Sequence, residues 1–211
     1  GATIQSIRMA WDRRRLNGAF MEQVEADVQK QLYYMSDTIE EFRNFFQPEK
    51  EIERFAVCDK LNDVVLLVGA QFATSGISLR VMGTTAEQSE VNGYPNEFKQ
   101  AVLNLVSNAR DAILERRARE SQPGTADGAI ILSVSNSGKQ VVVEVRDNGC
   151  GIPEGIADKV FDPYFTTKPK GSGTGIGLYM SRLIVEESMG GYLDFQSGPE
   201  GTVFRITLNV S

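Results

Sequence analysis

Leu103-Asn104-Leu105-Val106-Ser107-Asn108-Ala109-Arg110-Asp111-Ala112 lies within a run that reads as one long helix, Pro95 to about Arg119. Asn104 and Asn108 are spaced to share a helix face, with Ala101, Asp111 and Ala112 nearby. Asparagine is a mediocre helix former, so two on one face amid apolar neighbours suggest a polar task at the edge of a cavity. An amide carbonyl can serve Mg²⁺ as one hard oxygen ligand while phosphates and waters complete the shell. Two structural asparagines with satisfied hydrogen bonds are the alternative that this segment alone leaves open.

Outward from that helix, helices and strands alternate. Asp59 is placed to cap a helix over Lys60–Phe72, and Ile77–Val81 reads as a strand. Ala129–Ser135 and Gln140–Arg146 are β-rich runs joined through Asn136-Ser137-Gly138-Lys139, a hairpin signal. A glycine-rich stretch leads into a helix over about Gly175–Ser188. Tyr192–Gln196 and Thr202–Asn209 close the chain as strands around Gly198-Pro199-Glu200-Gly201. The expected fold class is α/β: a two-layer α/β sandwich, a sheet with helices on one face.

The first quarter differs in texture. Ile4, Ile7 and Trp11 suggest a short helix ending near Arg13-Arg14-Arg15, with Asn17-Gly18 as its stop. Val24, Val28, Leu32, Met35, Ile39, Phe42 and Phe46 then form a seam close to a heptad repeat. A helical hairpin with such a seam is expected to pair with a second copy of the chain, the alternative being that it folds back on its own. Pro48 breaks the pattern and Glu49–Arg54 reads as a charged connector. The expected division is 1–54, a helical hairpin, and 55–211, an α/β domain.

Composition narrows the function. The chain has 211 residues, 41% of them hydrophobic and 24% charged, which is ordinary for a globular protein. A net charge of -6 speaks against a nucleic-acid binder, so a polyphosphate would have to be held by local features. Cys58 and Cys150 make no disulfide framework and suit a reducing compartment. No apolar run approaches the roughly 18 residues of a membrane span. The expectation is a cytoplasmic chain, attached to a membrane only through segments of a parent protein outside this sequence. Histidine is absent altogether.

Three more segments carry chemistry. Asp147-Asn148-Gly149-Cys150-Gly151-Ile152-Pro153 directly follows a strand; its acid could accept a hydrogen bond from an exocyclic amine, and its glycines could let a planar ligand approach the backbone. The same letters are also turn chemistry. Phe161-Asp162-Pro163-Tyr164-Phe165-Thr166-Thr167-Lys168 offers aromatic loop anchors and a lysine that could meet a phosphate or simply stay solvated. Gly171-Ser172-Gly173-Thr174-Gly175-Ile176-Gly177-Leu178 places glycines at every second position before a helix, where backbone N–H groups can face an anion. It lacks the Gly-Lys-Ser/Thr of a P-loop and the spacing of a dinucleotide fingerprint.

In this order the four segments resemble the asparagine, first glycine, phenylalanine and second glycine boxes of the GHKL superfamily, and Gly201-Thr202-Val203-Phe204 is similar to the closing strand of its sensor histidine kinases. The resemblance implies the GHKL ATP-binding fold, with a mixed sheet, and ATP and Mg²⁺ as cofactors. It implies Asn108 as metal ligand, Asn104 on the triphosphate side, and Asp147 on the adenine amine, with Gly149, Gly151 and Ile152 shaping the base pocket. Phe161 and Phe165 would anchor an ATP lid. Thr167, Lys168, Ser172, Gly173, Thr174, Gly175, Ile176, Gly177 and Leu178 would lie near the phosphates. Many members carry a lysine or arginine where this chain has Asp111; Arg110 would substitute in the phosphate field, and Arg110 and Asp111 are both expected among the nucleotide-binding residues.

The family's ATPases carry a glutamate general base at the position of Asn104, so the resemblance favours phosphoryl transfer over hydrolysis, with Asn104, Asn108 and Lys168 as the catalytic set. Met35–Phe46 resembles the second dimerisation helix of a histidine kinase, whose phosphoacceptor histidine lies on the first helix. The expectation is thus a catalytic region that passes the ATP γ-phosphoryl group to a histidine absent from this sequence, for relay to the receiver domain of a response regulator. Its partners would be ATP or ADP and a second copy of the chain through the hairpin. The alternatives are a GHKL-type ATPase and a non-enzymatic dimerisation module with a vestigial pocket. Cys150, in the base-pocket loop, has no cationic neighbour in sequence to activate it.

Overall fold

The computed structural model describes Gly18 to Gln29 in part and residues 51–83, 85, 89–119, 127–169 and 173–210. The expected first helix, Arg13–Arg15 and most of the heptad seam lie outside those residues. Gly18 itself is helical, where a helix stop was expected, and Val24 and Val28 are helical too. The chain divides into two compact units, residues 1–48 with 166–174, and residues 49–165 with 175–211.

The larger unit carries β1 (Glu53–Ala56), α1 (Val57–Thr74), β2 (Ile77–Gly83), β3 (Glu90–Gly93) and α2 (Pro95–Arg119). Then follow β4 (Gly128–Asn136), β5 (Gln140–Asp147), a 3₁₀ turn (Glu154–Lys159), α3 (Gly177–Leu183), β6 (Tyr192–Gly198) and β7 (Gly201–Asn209). Five strands form a mixed sheet in the order β2-β4-β5-β7-β6, parallel only between β2 and β4. Residues of one parity point inward: Ile130, Leu132 and Val134, Val141, Val143 and Val145, and Phe204, Ile206 and Leu208 are all buried. They meet Phe98, Ala101, Val102, Leu105, Val106, Ala109 and Ile113, the buried stripe of α2. The opposite parity mixes apolar residues such as Ile131, Val142 and Val203 with charged ones, Arg205 of β7 bridging Glu144 of β5 at 3.0 Å and Asp194 of β6 at 3.6 Å. The two-layer α/β sandwich expected from the pattern is therefore present, with helices on one face.

Local differences have local causes. The helix expected from Lys60 begins at Val57, and Asp59 stands in its first turn rather than capping it. Its N-cap Ala56 has no side-chain acceptor; the Cys58 N–H instead donates to the Ser89 hydroxyl at 3.2 Å, a cap supplied from a distant segment. The end of the expected charged connector is a strand, because Glu53–Ala56 pairs antiparallel with Glu90–Gly93 and buries Phe55 and Val91. Arg117 of α2 donates to the Ser75 and Gly76 carbonyls at 2.6 and 2.8 Å, satisfying the C-terminal end of α1. The helix expected over Gly175–Ser188 is α-helical for Gly177–Leu183 and then widens into a π-helical turn, Ile184–Ser188.

Candidate functional site

The larger unit carries the asparagine segment on α2, the Asp147 loop after β5, and residues 161–165 and 175–178 of the other two segments. β5 ends at Asp147, whose parity turns it inward, so the carboxylate is buried at the strand end. Its Oδ1 accepts hydrogen bonds from the Gly149 N–H at 2.7 Å and the Thr202 N–H at 3.4 Å. Oδ2 has no hydrogen bond among the described residues. Burial pushes this carboxyl up from its ordinary value, opposed in turn by the Gly149 amide, the Thr202 amide and the charge of Arg116.

Gly149 and Gly151 are required by protein contacts as much as by any ligand. A Cβ on Gly149 would stand 2.6 Å from the Ala112 Cβ of α2, and one on Gly151, where φ is 71°, would stand 2.0 Å from the Gly198 carbonyl oxygen. The loop is therefore pressed between α2 and the β6–β7 turn. The Ile152 N–H donates to the Ser197 hydroxyl at 2.7 Å, and that hydroxyl lies 3.0 Å from the Thr202 hydroxyl. Asn148 fastens the loop to β4: its Oδ1 accepts from the Ala129 N–H and its Nδ2 donates to the Asp127 carbonyl, both at 2.9 Å.

On α2, Asn104 reaches the start of α3. Its Nδ2 donates to the Gly177 carbonyl at 3.3 Å, and its Oδ1 accepts from Gln100 at 3.4 Å. Ser181 reinforces this junction, donating to the Gly177 and Ala101 carbonyls at 2.9 and 3.4 Å. Ile176 is buried, and Gly177 and Leu178 are half-buried at the α3 N-terminus. Asn108 follows Asn104 by one helical turn and is half-buried. Arg110 turns elsewhere: its guanidinium grips Asp111 at 2.8 Å and lies 5.7 Å from the centre of the buried Phe72 ring. This placement gives Arg110 a packing contact between α1 and α2, on a different face of the helix from the asparagines.

Phe161 anchors the loop that follows the 3₁₀ turn. Its ring meets Phe195 and Phe204 edge-on, at 5.9 and 6.4 Å, and the Arg182 guanidinium lies 5.3 Å over it. Phe165 is half-buried, and its carbonyl faces Gly175. Residues 166–174 belong to the other unit; within it the Lys168 N–H donates to the Thr166 hydroxyl at 3.1 Å, and Gly173 packs on both side chains. Thr167 is exposed and Thr174 half-buried, and Ser172 lies outside the described residues. Cys150 points its thiol at Glu115, 3.8 Å away, and burial first, then the Glu115 charge, push it up, so it stays protonated.

Sequence reasoning missed Arg116, Asn148, Ser197 and Thr202 as parts of this site. The Gly201-Thr202 motif was the available signal for Thr202, and Asn148 stood unassigned within the quoted Asp147 segment; Arg116 and Ser197 are recognisable only once the end of α2 and β6 are brought to that loop.

As to Mg²⁺, the donor set fits a nucleotide-borne ion. Among the described residues no group of His, Cys, Asp and Glu could hold a metal, and the asparagine amide of Asn108 offers one neutral hard oxygen.

A buried acid at a strand end, an asparagine helix tied to a glycine-opened helix, and a mixed sheet covered on one face define a nucleotide-binding α/β sandwich. The chain belongs to the family of histidine kinase-, DNA gyrase B- and HSP90-like ATPases, which it matches over residues 93–211. Within that family it is a sensor histidine kinase GHKL domain. It is 37% identical over 120 residues to the two-component sensor PprA of Pseudomonas aeruginosa, covering 56% of this chain and 12% of that protein. It is 33% identical over 150 residues to sporulation kinase A of Bacillus subtilis, covering 70% of this chain and 22% of that protein. The catalytic domain of histidine kinase ThkA superposes with a TM-score of 0.64 at 27% identity, over 75% of this chain and 95% of that one. The chain thus spans less than a quarter of the length of these two curated relatives. Among the described residues no helix is long and apolar enough to cross a membrane.

Proposed function

We propose that this chain is the ATP-binding catalytic region of a histidine kinase, donating the γ-phosphoryl group of Mg·ATP to a histidine carried outside this sequence. The observation that carries the reading is the amide of Asn104 hydrogen-bonded at 3.3 Å to the Gly177 carbonyl, at the opening of α3. It spends its donor on the protein and has no basic group with which to activate water, whereas a protein acceptor brings its own nucleophile. Asp147 Oδ2 takes the adenine amine, and the loop fixed by Gly149, Gly151 and Ile152 carries the base. Asn108 supplies one oxygen to Mg²⁺, whose charge offsets that of the phosphates. The backbone at Gly175, Ile176, Gly177 and Leu178 attends the phosphates, and resemblance adds Thr167, Lys168, Ser172, Gly173 and Thr174. Asp111, locked to Arg110, has no part in the phosphate field in this reading, and neither has Arg110.

Expected partners are a second copy of the chain through the helical hairpin and the receiver domain of a response regulator, in a cytoplasmic setting. Calorimetric titration with Mg·ADP tests the nucleotide site: binding to the wild-type chain that disappears in Asp147→Ala upholds it. Equal binding by both, or by neither, would remove the basis of the proposal.

A further inference from the structure

Asp147 is a buried acid, and the loop that follows it has no regular structure of its own. Besides its ties to β4 and to Ser197, it is held by the last turns of α2. The Cys150 N–H donates to the Ala112 carbonyl at 3.2 Å, and the Ala112 side chain leaves room for nothing larger than glycine at 149. One turn on, the Arg116 Nη1 donates to the Asn148 carbonyl, reaching the residue between the acid and its glycine. Arg116 is half-buried, so this contact is shielded from competing water.

We propose that Arg116 is a positioning residue for base recognition, its guanidinium tying the Asn148 carbonyl to α2 so that the Asp147 carboxylate presents Oδ2 to a 6-aminopurine. The inference rests on the assignment of Asp147 to the adenine amine. It adds that discrimination between amino and keto purines depends on an arginine that never touches the base. An ionised carboxylate can only accept a hydrogen bond, which suits the 6-amino group; a neutral carboxylic acid also donates, which suits a 6-keto oxygen. Opposite Asp147, Ile130 of β4 and Thr202 of β7 carry no charge, and from α2 Arg116 is the charged group that acts on it. Glu115 and Arg119, on the adjoining turns, are paired to each other at 2.5 Å and reach Cys150 rather than the acid. Arg116 therefore opposes the burial that would favour the neutral form.

The test titrates the 211-residue chain and its Arg116→Gln, Arg116→Lys and Asp147→Ala variants with Mg·ADP and Mg·IDP, from mildly acid to neutral pH, after thermal melts to establish folding. Arg116→Gln is expected to bind ADP about tenfold more weakly at neutral pH, the scale of one charge-assisted hydrogen bond. The pH at which ADP binding is lost rises in this variant, and its ADP-over-IDP preference narrows. Arg116→Lys keeps the charge, so the wild-type pH midpoint and preference return although the planar grip is lost. If Arg116→Gln does not fold, Arg116→Lys decides: weakened ADP binding at the wild-type midpoint upholds the inference, and unchanged affinity overturns it. Weaker binding by Arg116→Gln with the pH midpoint and ADP preference unmoved would mark a merely structural brace and also overturn it. Wild-type binding that is lost in Asp147→Ala yet unchanged in Arg116→Gln overturns this inference alone. No binding by the wild type, or equal binding by Asp147→Ala, overturns the site assignment and this inference with it.

Discussion

Gly175 lies against the backbone of Tyr164: a Cβ on Gly175 would stand 2.5 Å from the Tyr164 carbonyl carbon, and φ is 66° at both residues. The chain thus leaves and re-enters the larger unit, on either side of residues 166–174, at one tight backbone crossing. Among the described residues Tyr164 is the non-glycine residue that adopts this left-handed conformation, and its side chain is exposed.

This crossing gives two substitutions of opposite sign. Gly175→Ala must move the Tyr164–Phe165 backbone and is expected to cost about 2 kcal/mol of stability. Tyr164→Gly relieves a left-handed side chain that buries little and is expected to be neutral or to stabilise by up to about 1 kcal/mol. Urea unfolding midpoints check both, with Gly177→Ala as a control: a Cβ there meets Asn104 Cγ at an ordinary 3.7 Å, and the fold should tolerate it.

Asp147 is expected to trade stability for recognition. Burial raises its folded-state pKa above the unfolded value, so its contribution to stability is fully present below the unfolded pKa and is lost as pH rises through the folded pKa. Asp147→Asn keeps an oxygen for the Gly149 and Thr202 amides and removes the buried charge. The variant should be at least as stable as the wild type at neutral pH, and less stable relative to it in acid. Urea midpoints across pH check this, and adenine nucleotide binding should be lost in the same variant.

Much of this architecture was legible in the sequence. The β-rich runs Ala129–Ser135 and Gln140–Arg146 marked β4 and β5, their mix with helices gave the covered sheet, and the α2 segment ran from Pro95 to Arg119 as expected. β1 and β3 escaped because Glu53-Arg54 and Asn92-Gly93 are poor strand formers, held by pairing across the chain. The start of α1 escaped because its cap, Ser89, lies far along the sequence. In the site, Asp147, Asn104 and Phe161 announced themselves by motif. Arg116 and Ser197 did not, since each acts through a backbone group of the Asp147 loop that only the fold brings within reach, and Asn148 did not, since its side chain serves the Ala129 N–H of β4.

Phe161 fixes the loop between the 3₁₀ turn and that crossing through its aromatic neighbours, so Phe161→Ala is expected to cost about 2–3 kcal/mol, below the range for fully buried aromatic truncation because the ring is half-buried. Thermal melts check the loss. Phe161→Leu, which keeps most of the apolar volume, should recover a large part of it.

Mg²⁺ should bind with the nucleotide and not before it. With one neutral amide oxygen on offer from Asn108 and no acidic cluster among the described residues, Mg²⁺ alone is expected to leave the melting temperature unchanged, while Mg²⁺ with ADP raises it more than ADP alone. Asn108→Ala should abolish that metal-dependent increment and retain metal-free ADP binding.

The central claim is donation to a histidine outside this chain, which itself has no histidine. The most direct measurement incubates the chain with γ-labelled Mg·ATP and a separate histidine-bearing dimerisation hairpin. The account predicts acid-labile, alkali-stable label on the hairpin, none on the 211-residue chain, and loss of transfer in Asn108→Ala. Sustained release of inorganic phosphate that depends on Asn104, with no labelled polypeptide, would contradict it.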